Sequence, residues 1–247
     1  MSSILIVALL AMGPQSGSAQ MRTWADCGGP IGATAVMSCT LLLDSNSLSV
    51  DDQVRALNFR GMAKTRVADM KGALADFSRA VEIDPKSPDG YFLRGALNMT
   101  SRNYEQALPD LIKASELNPQ NPATWSARAN TRMALGDFPS ALADISRAIG
   151  LAPANAMSYS VRADLKARQK DVAGALADLD RAVALDSSST RYVGQRANYK
   201  FDNGDYDGAL ADYERMVAIT PGNPAGFYGR GMVELRRKDY ASALKDF

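Results

Sequence analysis

Six short segments of this chain recur at one fixed interval, and that interval limits its fold more than any other feature. GALADFSRA begins at Gly72, QALPDLIKA at Gln106, SALADISRA at Ser140, GALADLDRA at Gly174, GALADYERM at Gly208 and SALKDF at Ser242. Successive starts are 34 residues apart. A unit this short cannot bury its apolar face alone, so a constant period implies like units stacked on their neighbours.

The period divides the chain into units 54–87, 88–121, 122–155, 156–189 and 190–223, with a partial unit 224–247. Within Val54–Ser87, two apolar-periodic segments of about a dozen residues flank a break at Ala68-Asp69; that length suits helices. Both are rich in Ala, Leu, Arg and Met, which favour helix. Each unit therefore reads as two antiparallel helices, and the fold class as all-α. Asp69, Asn103, Asp137, Asp171, Asp205 and Asp239 hold one column, with side chains suited to cap a second helix. Gly136 and Gly204 precede two of them, as a turn requires. Ser87-Pro88, Asn121-Pro122 and Asn223-Pro224 read as starts of first helices. Alanine recurs at 73, 107, 141, 175, 209 and 243, and Gly or Ala at 61, 95, 129, 163, 197 and 231. Phe77, Leu111, Ile145, Leu179, Tyr213 and Phe247 are expected to fill the space between units.

Two charged columns run without exception. One is Asp76, Asp110, Asp144, Asp178, Asp212 and Asp246. The other is Arg60, Arg94, Arg128, Arg162, Arg196 and Arg230. A carboxylate repeated six times invites a catalytic or ligand-binding reading. Yet Arg60 lies eight residues before Ala68 and Asp76 eight after it, so an antiparallel hairpin puts them at one height. A planar bidentate pair bracing each unit is the reading adopted.

Composition narrows the function. There is no histidine, which removes Ser-His and Cys-His nucleophile pairs, the usual general base and most catalytic zinc sites. No catalytic, metal or cofactor site is expected, and the chain reads as a non-enzyme. A net charge of +1 is unlike that of a strongly basic nucleic-acid binder. DSNSLSVDDQ, from Asp44, lacks the glycine and ligand pattern of a calcium loop. CGGPIG lacks phosphate-loop spacing.

The first residues contain an apolar run, Ile4 to Met12, broken by Gly13 and Pro14 and followed by small residues at Gly17–Ala19. This is the pattern of a signal peptide over 1–19, too short to span a bilayer. No integral span is expected after its removal. The expected location is exported, periplasmic in the first instance and extracellular in the second. Cys27 and Cys39 follow, in a segment over 20–53. An even cysteine count in an exported chain favours a disulfide, and two cysteines without histidine are too few for structural zinc. The AVMSCTLLLDS stretch reads as a capping helix stapled by that bridge. The chain stops at Phe247 inside a second helix, which reads as a truncated sequence.

Trp125, Arg128, Ala129, Arg132, Ala141, Ile145 and Pro153 together resemble the tetratricopeptide repeat pattern, with Arg in place of Leu and a polar residue in place of Tyr. The resemblance covers 54–247 and implies a right-handed superhelical solenoid of antiparallel helix pairs. It further implies that first helices line a concave groove for a protein or peptide. Carried onto this sequence, that face includes Asn58, Met62, Arg66, Phe92, Asn130, Asp164, Arg168, Asn198, Tyr228 and Arg236. These positions vary between units, as a specific binding surface permits. The function implied is a protein-interaction scaffold. The alternatives are an envelope chaperone or assembly factor, or an accessory region of a longer enzyme.

Overall fold

The computed structural model describes residues 23–29, 32–45 and 47–247. The segment expected to be a signal peptide, 1–19, lies outside them. Among the described residues every regular element is helical. They fall into two compact parts, divided between Leu117 and Asn118.

The N-terminal part contains α1 (Gly32–Asp44), α2 (Val50–Arg66), α3 (Met70–Ile83), α4 (Pro88–Thr100) and α5 (Tyr104–Leu117). Each packs on the next, and α2 also touches α4. A disulfide joins Cys27 to Cys39, with Cα atoms 4.8 Å apart. Both half-cystines are buried with Leu42, against Trp24 and Phe59. The array begins earlier than the sequence boundary at 54. Ser49 accepts a hydrogen bond from the Asp52 amide and starts α2 at Val50, one turn sooner.

The C-terminal part contains α6 (Pro122–Ala134), α7 (Phe138–Leu151), α8 (Ala156–Arg168), α9 (Val172–Leu185), α10 (Thr190–Asp202), α11 (Tyr206–Ile219), α12 (Pro224–Arg236) and α13 (Tyr240–Asp246). Successive helices pack, and α10 also touches α12.

One turn geometry closes all six hairpins. Ala68, Arg102, Gly136, Lys170, Gly204 and Lys238 have φ between 62° and 82°, the left-handed region. The Asp69 amide donates to the Lys64 carbonyl at 2.9 Å, and the Ala68 amide to the Thr65 carbonyl at 3.2 Å. This pair of bonds satisfies carbonyls at the helix end and recurs at every hairpin. The next residue caps the following helix: the carboxylates of Asp69, Asp137, Asp171, Asp205 and Asp239 each accept an amide three residues on. At the first helices, Asn121 and Asn223 also cap, whereas Ser87 makes no side-chain cap bond.

The small columns let the two helices of a hairpin approach closely. A Cβ added at Gly61 would lie 2.5 Å from the Phe77 ring, and one at Gly95 2.9 Å from Leu111. Phe77 therefore packs within its own hairpin as well as toward Leu93 and Leu97 of the next. The large residues thus fill space inside units, and not only between them. Phe77, Leu111, Ile145 and Leu179 are almost fully buried, whereas Phe247 is exposed.

Candidate functional site

The charged columns meet inside every hairpin. Each Arg donates through Nε and Nη2 to the two oxygens of the Asp sixteen residues on, at 2.5 to 2.9 Å. The pairs are Arg60–Asp76, Arg94–Asp110, Arg128–Asp144, Arg162–Asp178, Arg196–Asp212 and Arg230–Asp246. The first five aspartates are less than 9% exposed, so these carboxylates face protein cations instead of solvent.

Two further columns complete this brace. Lys64, Arg132, Lys166 and Lys200 place a second cation 2.7 to 2.9 Å from the same aspartates. This is the polar column that departs from the family pattern in the sequence. In the second unit that position is Asn98, and in the sixth it is Glu234. In four units the same guanidinium also lies over an aromatic ring three residues earlier: Tyr91, Trp125, Tyr159 or Phe227, at 4.3 to 5.9 Å. There the Arg engages a carboxylate fork along its edge and a π face with its plane, a combination lysine's point charge could not match. The aromatic partners were missed as a column because Leu57 and Val193 interrupt it.

Burial pushes the Asp178 carboxyl up, but hydrogen bonds from Arg162 and Lys166 outweigh it and lower the pKa below the ordinary value. The Arg230 bond likewise lowers Asp246. Desolvation raises Glu234, and the neighbouring charge of Asp246 raises it further. Among the described residues, no cluster of three or more His, Cys, Asp or Glu could hold a metal.

The residues carried over as a binding face divide between two environments. Asn58 is a correction. It is 7% exposed, and its Oδ1 has no hydrogen-bond partner among the described residues. Helices α1, α3 and α4 all pack on α2, the helix that carries it. Ser160, in the same repeat position, is buried too. Phe92 is half-buried. Residues one and two turns further along the first helices stay accessible. In the N-terminal part, Met62 and Arg66 border an apolar cavity of about 280 Å³ with Leu93, Leu97 and Phe77 beneath. In the C-terminal part, Asn130 and Asp164 are half-buried, while Arg168, Asn198 and Arg236 are exposed. Arg168 lies 5.1 Å over the Phe138 ring and Arg236 5.9 Å over Phe201. Asn198 accepts a 2.6 Å bond from the Tyr213 hydroxyl. Tyr228 is exposed and packs against Phe247 with the rings tilted by 54°, 5.8 Å between centroids.

The α8–α10 contact differs from its equivalents. Gln195 Nε2 donates to Asp164 Oδ1 at 2.7 Å, and the Tyr199 hydroxyl donates to the same oxygen at 2.9 Å. Ser160 donates to Gln195 Oε1 at 2.6 Å. The position of Tyr199 holds Ala63, Leu97, Thr131, Leu165 or Val233 in other units, and that of Gln195 holds Phe59, Leu93, Ala127, Val161 or Gly229. Column comparison exposes both exceptions, although neither belongs to the face assigned from the resemblance.

This geometry has known counterparts. Tetratricopeptide repeat models match residues 126–190 and 195–247, and a second such model matches 88–121. The chain belongs to the tetratricopeptide repeat family, a class of helical-repeat proteins that act as protein-interaction scaffolds. Solved structures share the fold at low identity. YrrB, described as a tetratricopeptide repeat protein with an unusual peptide-binding site, gives a TM-score of 0.59 at 21% identity, over 69% of this chain and 88% of its own. Pseudomonas aeruginosa pilF gives 0.69 at 16%, over 80% and 90%. MamA from Desulfovibrio magneticus RS-1 gives 0.65 at 14%, over 71% and 99%. No curated protein matches the chain significantly.

Proposed function

We propose that this protein is an exported, non-catalytic scaffold whose first helices hold an extended peptide of a partner protein. One contrast carries the reading. The Arg and Asp positions of the brace are constant in all six units, whereas the accessible row Met62, Ala96, Asn130, Asp164, Asn198 and Met232 changes from unit to unit. A structural requirement would repeat with the fold, but a recognition surface need not. The amides of Asn130 and Asn198 suit a peptide backbone, and Met62 with its apolar cavity suits a side chain. YrrB's described peptide-binding site on the same fold agrees with this use. Export is supported by the leader pattern and by the Cys27–Cys39 bridge, which persists in an oxidising compartment.

The test is site-specific photo-crosslinking. A photoreactive residue replacing Arg168 on α8 captures ten-residue peptides from a degenerate mixture. The same residue replacing exposed Arg181 on α9 does not. Equal capture at both positions refutes the groove.

The apolar cavity beside Met62 also favours a second reading, a holding chaperone for unfolded chains. That activity would suppress aggregation of a heated reporter enzyme, and Met62→Lys would abolish the suppression.

A further inference from the structure

We infer that the junction of the fourth and fifth units selects a basic side chain in the partner, with Asp164 as its acceptor. The inference rests on the peptide-groove reading and names the chemistry of what the groove takes.

Asp164 is the single carboxylate in the accessible row, between Asn130 and Asn198 in the repeats on either side. Its two oxygens are used unequally. Gln195 and Tyr199 both donate to Oδ1, and among the described residues none donates to Oδ2. Two bonds on one oxygen fix the carboxylate's orientation and leave the other oxygen to a ligand. Asp164 is shared by two open cavities. One, of about 410 Å³, also contains Met133 and Arg168; the other, of about 430 Å³, contains Arg191 and Asn198.

A tie between helices alone would not require these particular residues. In other repeats the position of Tyr199 is filled by apolar or small side chains such as Leu97, Thr131 and Leu165, which are buried there. Gln195 and Tyr199 instead bring polar atoms to that position, Tyr199 while still packing on Ala163, Ala175 and Leu179, and so build a second layer behind one half-buried carboxylate. That is how a binding group is held in place against thermal motion. The acceptor suits arginine or lysine, whose donors match a carboxylate and whose stem could lie against Met133. Arg168 and Arg191 each line one of the two cavities and are exposed, so acidic residues beside the basic one would find partners of their own. The occupant is therefore a mixed-charge peptide with a central basic residue.

The test uses the whole chain and fluorescein-labelled ten-residue peptide mixtures. They are degenerate except for a central arginine, citrulline or glutamate. Citrulline keeps the shape of arginine without its charge. Wild type is expected to bind the arginine mixture about tenfold more tightly than the citrulline one, the size of one charge-assisted hydrogen bond. Asp164→Asn should erase that preference, and Tyr199→Phe with Gln195→Val should reduce it. A melting curve of Asp164→Asn unchanged from wild type separates lost contact from lost fold. If the mixtures bind equally well but Asn130→Ala/Asn198→Ala weakens all of them, the groove stands and the basic selectivity is wrong. If no mixture binds, both are wrong. An unaltered arginine preference in Asp164→Asn also overturns the assignment.

Discussion

Asp144 receives Arg128 through two hydrogen bonds and Arg132 through a third, and is only 2% exposed. Removing it strands two cations at a buried position. Breaking such a pair from one side costs about 3–5 kcal/mol, even where the intact pair adds little over an apolar core. Asp144→Ala should therefore lower the urea midpoint markedly. An unchanged midpoint would remove the brace from the account of stability. Glu234 presents the opposite case. It occupies the position where Lys64, Arg132, Lys166 and Lys200 contact their aspartates, and its buried Oε2 has no hydrogen-bond partner. Glu234→Lys should place a second cation near Asp246 and stabilise the chain by up to about 1 kcal/mol, read as a rise in thermal midpoint. Sequence columns made the Arg and Asp partners legible because both columns are invariant. They could not show which oxygen of Asp164 is occupied, since that depends on the reach of Gln195 and Tyr199 across an interhelical gap. Nor could they show that Asn58 is enclosed, because its helix has packing partners on several sides and the periodic pattern does not name them.

The hairpin is the element on which local conformation acts. Its turn needs a left-handed residue, and glycine meets that need in only two of six turns. The glycines at 136 and 204 marked the turn in the sequence. Ala68, Arg102, Lys170 and Lys238 did not, because a non-glycine residue in this region carries no signature of its own. It costs about 1–2 kcal/mol, partly returned by its lower freedom in the unfolded chain. Lys170→Gly should then stabilise by about 0.5 kcal/mol, and Gly136→Ala should destabilise by about 1 kcal/mol. Chemical denaturation with matched slopes distinguishes these effects; the same sign for both would contradict the geometry. At the N-terminal end, the disulfide ties the helical turn over 23–27 to α1. Closing a loop of this length stabilises by about 3 kcal/mol in the chain-entropy model. Reduction should raise amide exchange in α1 and the start of α2 while leaving α8 to α10 unchanged. Exchange that rises uniformly would show a larger cooperative unit than this. The early start of α2 was available in the sequence as Ser49 followed three residues later by Asp52, a capping pattern. The 34-residue frame, counted from Val54, hid it.

For the molecule as a whole, repetition makes small electrostatic terms add. Asp178 and Asp246, together with the capping residues Asp137 and Asp239, all have pKa values lowered in the folded state. A depressed carboxyl pKa contributes stability above its unfolded value, near 3.8, and loses it as pH falls through the folded value. The thermal midpoint should stay flat from neutral pH to about 5 and fall steeply below about 4. A midpoint that rises on acidification would reverse the sign assigned to these groups.

Each bidentate brace spans sixteen residues, so both of its charged partners lie inside one 34-residue period. Genetic duplication or excision of a period carries the carboxylate and its guanidinium together. Excising 156–189 would take Arg162 and Asp178 as a pair, with Lys166, and leave the remaining bidentate pairs matched. Unit number can thus drift in descent without orphaning a buried brace charge. The Asp164–Tyr199 contact, which bridges two periods, is what such drift would break.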